Sequence, residues 1–345
     1  MKKLTLSLVL FLIFSVCGTA FTADGEAFFD SGLIFEPGSV DFKSCHGSTL
    51  TELPGGDIMA AWYGGDFERA KNVAIYASIL EKGKNTWSKP WIIQNTPGKS
   101  EGNPVLWTGP DNQIWFFYVT IMKETWNEAL IFLKKSNDRG KTWSEPVDIT
   151  TKYSWMTRNK PLMLENGYIL LPIYNETMFD SEFLVSRDNF KTWKMSSIIR
   201  SPGTNLQPTV VQLSDGSLLT GMRTGSKNGL MWWSKSKNNG KSWSKAFTNK
   251  VHNPHSACDM VKLPDGKLAL VYNDSPDKRN PLTVAISVDE GVNWDIKKDL
   301  EKDDFGSYSY PAIISTSDGL IHVTYTYRRE SIKYAVFNSK WVESK

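Results

Sequence analysis

Residues 136–143 read "SNDRGKTW", and the same pattern returns as "SRDNFKTW" at 186–193, "SKNNGKSW" at 236–243 and "SVDEGVNW" at 287–294. The tryptophans that close these boxes, Trp143, Trp193, Trp243 and Trp294, are 50, 50 and 51 residues apart. Two degenerate copies extend the series, with Trp87 in "EKGKNTWSKP" before it and Trp341 in "VFNSKWVE" after it. A fixed period of this length is the mark of a repeat architecture, and here it gives six units.

A second signal runs in phase with the first. Each unit holds a tight turn followed by an apolar strand: "LPGGDIMAAW" from Leu53, "GPDNQIWFFY" from Gly109, "LENGYILLPI" from Leu164, "LSDGSLLTGM" from Leu213, "LPDGKLALVY" from Leu263 and "TSDGLIHVTY" from Thr316. Asp-Gly and Asn-Gly tolerate positive φ at both turn positions and so favour hairpins. A short β-rich run such as "PTVVQL" precedes each turn, and a third strand such as "LTVAIS" leads into each box. The fold class that follows is all-β, a six-bladed β-propeller, in which radial packing hides the sheet edges. The segment "FFDSGLIFEP" (28–37) lies outside the repeats and is placed to supply the outer strand of the last blade.

The box reads as a structural turn. Its Ser and Asp side chains suit bonds to nearby amides, its Gly a left-handed conformation, and its Trp packing between strands. Arg139, Lys141 and Glu290 beside it read as solvated. A catalytic motif would not occur four times in one chain, so the chemistry is expected elsewhere.

Composition narrows the function. A net charge of +3 over 345 residues gives no basic face for duplex nucleic acid. Lys2 and Lys3, the apolar "LTLSLVLFLIFSVC" and small residues at Gly18 and Ala20 form an export signal over 1–20, leaving 21–345 as one propeller domain in the periplasm or outside the cell. No later stretch is apolar enough to span a membrane. Cys45 and Cys258 are expected as buried free thiols, and four histidines without C-x-x-C spacing do not make a metal site. Nothing in the sequence calls for a cofactor.

With these boxes and turns the chain resembles the sialidase (neuraminidase) superfamily, six-bladed propellers with Asp-box repeats, over about residues 38–345. "CHGSTLTELPGGDIMAAWYGG", "NPHSACDMVKLPDGKLALVYND", "RNPLTVAIS" and "SYPAIISTSDGLIHVTYTYRR" resemble a bacterial subgroup of predicted neuraminidases with BNR repeats. That resemblance implies three arginines that hold a substrate carboxylate, a Tyr nucleophile activated by a Glu, and an Asp acid/base. Carried over position by position, the second arginine is Arg223, the third Arg279, and the nucleophile Tyr310 or Tyr308. Three positions depart. His46 stands where the first arginine is expected and Gln207 where the Glu is expected, while Asp66 and Glu68 both fall in the acid/base loop. A Gln cannot accept a proton.

Other candidates lie at strand starts or on loops at the same end: Asn103, Arg158, Lys160, Glu176, Asp259, Asn273 and Arg328. Glu176 is a replacement carboxylate, and of Arg328 and Arg329 strand alternation turns one inward. Trp62, Tyr63 and Trp126 are possible sugar platforms. The reading is an exo-acting glycoside hydrolase that frees an acidic sugar, sialic acid or a related ulosonic or uronic acid, from a glycan or oligosaccharide. Glu68 or Asp66 would protonate the leaving oxygen; Tyr310, Glu176 or an activated water would attack, with His46 as a proton shuttle. A uronic-acid lyase using His46 and Tyr310, and a glycan-binding propeller without turnover, are the alternatives.

Overall fold

A computed structural model describes residues 25–225 and 229–344, so the export signal expected over 1–20 lies outside the described residues. Six antiparallel sheets follow one another around a ring. Four of them run in plain sequence order from inner to outer strand; the first is Ser44–Glu52, Ile58–Gly65, Ala74–Leu80 and Trp91–Gln94. The third blade adds a short extra segment, Leu162–Met163, against its second strand. The sixth is closed from the other end of the chain: Phe29–Leu33 pairs antiparallel with Ser331–Phe337, Phe29 opposite Phe337. The ring is a six-bladed β-propeller.

The core is divided into six apolar clusters, one at each junction between neighbouring blades. The strand Ile114–Ile121 shows why its sequence "IWFFYVTI" is apolar throughout. Ile114, Phe116 and Tyr118 pack into the junction with the first blade, and Trp115, Phe117 and Val119 into the junction with the third. Successive side chains point to opposite faces, and here both faces are covered. Each such fully buried large side chain contributes about 1.5–3 kcal/mol.

The boxes sit between third and fourth strands. In the first, Ser136 Oγ accepts from Gly140 N at 2.9 Å, and Asp138 accepts from Thr142 N at 2.9 Å and Thr142 Oγ1 at 2.6 Å. Arg139 and Gly140 both take positive φ, 65° and 77°. The tryptophans pack between blades rather than only between strands: Trp143 lies on Phe116 at the first junction, and Trp243 stacks on Phe183 at 4.5 Å. Two flanking residues expected in solvent are also bonded across blades. Arg139 pairs with Asp57, and Glu290 accepts from Ser214 N at 2.8 Å. Cys45 and Cys258 are buried and free, and burial pushes the Cys258 thiol up to about 12.

One irregularity recurs on the inner strands and aims the site. Register shifts fall between His46 and Thr49, Gly102 and Val105, Leu206 and Thr209, and Ser309 and Ala312. The bulged positions take positive φ: Gly47 66°, Asn103 41°, Gln207 53° and Tyr310 54°. The last three each precede a proline, so the bend is held in a sparsely populated conformation. A bulge turns a side chain out of the sheet's alternation, and these turn into the centre of the ring.

Candidate active site

Tyr310 is the hub of that centre. Its phenol oxygen accepts from Arg223 Nη1 at 2.8 Å and from Gln207 Nε2 at 3.3 Å. The guanidinium carbons of Arg158, Arg279 and Arg223 lie 5.2, 5.4 and 5.9 Å from its ring centroid. The ring of His46 stands 4.1 Å away, centroid to centroid. Tyr310 lies deep in the protein yet keeps part of its surface open. Burial by itself would raise its phenol; Arg223, Arg279 and the Gln207 bond outweigh it, and the group titrates below its ordinary value of 10.

The other members are fixed in turn. Arg223 comes from the second strand of blade 4, Leu218–Thr224, and its Nη1 also donates to Gln207 Oε1 at 3.1 Å. Tyr174 accepts from Asn103 Nδ2 at 2.9 Å and Gln207 Nε2 at 3.3 Å, so blades 2, 3 and 4 meet on one hydroxyl. Arg158 is 1 % exposed and donates through Nη2 to the carbonyls of Tyr310 (2.6 Å) and Pro311 (3.2 Å). It braces the strained bend under the tyrosine.

His46 is 1 % exposed, and its Nδ1 is 2.9 Å from Thr326 Oγ1, which also accepts from Gly47 N at 3.1 Å. We assign the threonine hydrogen to Nδ1, which leaves the ring proton on Nε2. Burial, with Arg329, Arg279, Arg158 and Arg223 around it, holds the imidazole well below 6.5 and therefore neutral. The residue in phase with Gln207 and Tyr310 is Gly47, one place beyond His46. A side chain there would meet the Tyr63 ring at 2.7 Å in addition to the left-handed φ.

Glu68 closes the far side: its Oε2 is 2.8 Å from Arg329 Nη1, and its Oε1 accepts from Trp126 Nε1 at 3.2 Å. Trp126 itself lies against Gly102, where a β-carbon would come within 2.6 Å of the indole. Burial raises the Glu176 carboxyl, against the pull of Arg223 and with a contribution from Glu68.

Several candidates fall elsewhere. Asp66 is half exposed and paired with Lys43 at 2.9 Å, on the loop's outer side. Tyr308 bonds Asp303, and Arg328 is 2.7 Å from the same carboxylate, so these two belong to a separate cluster. Lys160 is bound to Asp259 at 2.8 Å, and Asp259 also accepts from Thr209 and Ile313, tying blades 3 to 6 together. Asn273 donates to the carbonyls of Pro281 and Tyr308. Trp62 is fully buried between blades. Tyr174 is a member that the sequence does not single out, and Arg329 is named there only as one of a pair. Of the adjacent pair, Arg329 is turned to the site and Arg328 away from it, and both sit in a turn at positive φ, 62° and 55°, rather than on a strand.

The family described as "BNR repeat-like domain" matches residues 56–323 of this chain. The chain belongs to that family, within the sialidase superfamily. Among curated relatives of this BNR-repeat propeller, a sialidase of Bacteroides fragilis (strain YCH46) is 26% identical over 266 residues, covering 71% of this chain and 48% of its own length. A sialidase of Micromonospora viridifaciens is 23% identical over 379 residues, covering 95% of this chain and 56% of its own. The chain thus spans about half the length of the curated relatives it matches. Among solved structures, Hadza microbial sialidase Hz136 superposes with a TM-score of 0.77 at 19% identity, over 90% of this chain and 68% of that one. The NanB sialidase of Streptococcus pneumoniae gives 0.76 at 15%, over 89% and 70%. At such identities these likenesses speak to the fold.

Proposed function

We propose that this protein is an exported, exo-acting glycoside hydrolase that frees a terminal carboxylated sugar, sialic acid or a related ulosonic or uronic acid, from glycans. The observation that carries this is the grouping of Arg223 and Arg279 about Tyr310, with Glu68 held by Arg329 at the same end of the ring. Guanidinium groups bind carboxylates through paired, charge-assisted hydrogen bonds. A sialic or other ulosonic acid carries its carboxylate on the anomeric carbon, so holding that carboxylate with Arg223 and Arg279 brings the anomeric carbon beside the tyrosine oxygen.

In this reading Tyr310 attacks the anomeric carbon as the bond to the leaving oxygen breaks. Glu68, on the accessible loop, delivers the proton to that oxygen. Water then cleaves the glycosyl-tyrosine, giving net retention. Arg158 and Gln207 are positioning residues, and His46 is a neutral donor where the superfamily resemblance calls for a cation. Glu176 is a second carboxyl deeper in the site.

Incubation with a panel of sialylated and uronylated glycans, followed by mass spectrometry of free monosaccharide, tests this. Release of an acidic sugar that Tyr310→Phe abolishes is expected. An unsaturated, ultraviolet-absorbing product would make the protein a lyase, and tight binding without release would make it a glycan-binding propeller.

A further inference from the structure

The superfamily resemblance asks for a carboxylate at position 207 to take the tyrosine's proton, and the chain has an amide there. The geometry gives that amide one orientation. Arginine can only donate, so the Gln207 oxygen, 3.1 Å from Arg223 Nη1, must face the guanidinium. Its NH2 group is then turned to the two tyrosines, 3.3 Å from Tyr174 Oη and 3.3 Å from Tyr310 Oη. Arg223 fills a second place on the Tyr310 oxygen at 2.8 Å. Both hydrogen bonds at that oxygen are therefore ones it accepts. This arrangement satisfies a phenolate, whereas a phenol would need an acceptor for its own hydrogen.

The charges around the ring agree. Arg158 faces it from the inner strand of blade 3, Arg223 from blade 4, Arg279 from the loop of blade 5 and Arg329 from the turn of blade 6. Against these four cations stand Glu68, already paired with Arg329, Glu176, and Asp259, which acts on Arg158 and is itself paired with Lys160. His46, the nearest ring, is neutral, and Tyr63 and Tyr174 are held protonated by burial.

We propose that Tyr310 is a resident phenolate in the free protein at neutral pH, held by Gln207 and Arg223 as donors and by the guanidinium ring, so that no general base is used. Its proton goes to solvent before substrate arrives. Gln207 is the positioning residue that makes this so, because an amide presents donors where a carboxylate would present an acceptor. The inference rests on Tyr310 as the attacking group of the proposed hydrolase. Its ionisation, however, can be read without turnover.

The test is the ultraviolet difference spectrum of the protein minus its Tyr310→Phe variant, followed from neutral to alkaline pH. An ordinary tyrosine, with a pKa of about 10, is ionised to well under about 1 % at pH 7.5. The expected result is a tyrosinate band near one per chain at neutral pH, absent in Tyr310→Phe. Gln207→Glu should remove the band at neutral pH and move its appearance upward. Gln207→Leu, which deletes a donor without adding charge, should shift it in the same direction by less. No band in the folded wild type below the ordinary tyrosine range, or a band indifferent to both changes at residue 207, overturns the inference. Sugar release without the band overturns it while leaving the hydrolase standing; the band without release does the reverse.

Discussion

The rings of His46 and Tyr310 lie 4.1 Å apart, although they come from the first and last blades of the ring. Closing the propeller is what assembles the site, and the pair makes the imidazole's charge state a property of the fold. Burial and four arginines hold His46 well below 6.5, so at neutral pH it is neutral in both folded and unfolded chains. As pH falls below about 6.5 the unfolded chain takes up a proton that the folded one refuses, and stability declines, with a limiting slope of about 1.4 kcal/mol per pH unit per group. His322, pushed down to about 4 by burial, adds a decline in the same direction. Urea unfolding from pH 7 to 5 should show a shallower loss for His46→Gln than for wild type. An unchanged slope would mean that His46 is protonated normally.

Arg223 serves both Tyr310 and Gln207, so its loss should reach beyond one contact. Truncating one partner of a buried charge pair costs about 2–5 kcal/mol, which predicts a fall in kcat/KM of at least about 30-fold for Arg223→Ala. Arg223→Lys keeps the charge without the planar fork and should recover only part of it. Steady-state kinetics on the released acidic sugar checks both.

Glu68 and Glu176 are separated by leaving-group chemistry. Loss of a proton donor harms substrates with poor leaving groups and spares those, such as 4-nitrophenyl glycosides, whose leaving group needs no proton. Glu68→Gln should show that selectivity. Glu176→Gln should instead alter the acidic limb of the pH–rate profile, since burial raises that carboxyl. If the two variants exchange behaviours, Glu176 is the acid.

The boxes predict stability rather than activity. Asp138 is held down to about 2, chiefly by its bonds to Thr142 and Ser136, so the folded value lies below the unfolded one. Its contribution is present above pH of about 4 and is lost as pH falls toward 2. The third box already carries Asn238, whose oxygen accepts from Ser242 N at 2.9 Å. Asp138→Asn should therefore fold with a slightly lower Tm and lose this part of the acid dependence, whereas Asp138→Ala should lower Tm more. Thermal melts between pH 5 and 2 decide it.

The fold was legible because its signals repeat: turn, strand and box recur in phase, and the superfamily resemblance, counted along that phase, led to Gln207, Arg223, Arg279 and Tyr310. What one chain position cannot show is which way a bulge or turn aims a side chain. The left-handed bend at Gly47 moves the in-phase position off His46, and the turn at Arg328 and Arg329 decides which of the two faces the site. Lys160, Asp259 and Asn273 give their polar groups to protein partners, which a single chain position does not reveal. Tyr174 carried no charge or motif to announce it, and only its meeting with Asn103 and Gln207 gives it a role.

The central claim is that Tyr310 attacks the anomeric carbon of a carboxylated sugar. It is tested most directly by incubating the protein with a 3-fluoro-sialosyl fluoride, whose glycosyl-enzyme hydrolyses slowly, and mapping the modified peptide by mass spectrometry. The account predicts one sugar per chain, attached to the Tyr310 oxygen and absent in Tyr310→Phe. A sugar attached to Glu68 or Glu176, or turnover of sialosides with no adduct at Tyr310, would contradict it.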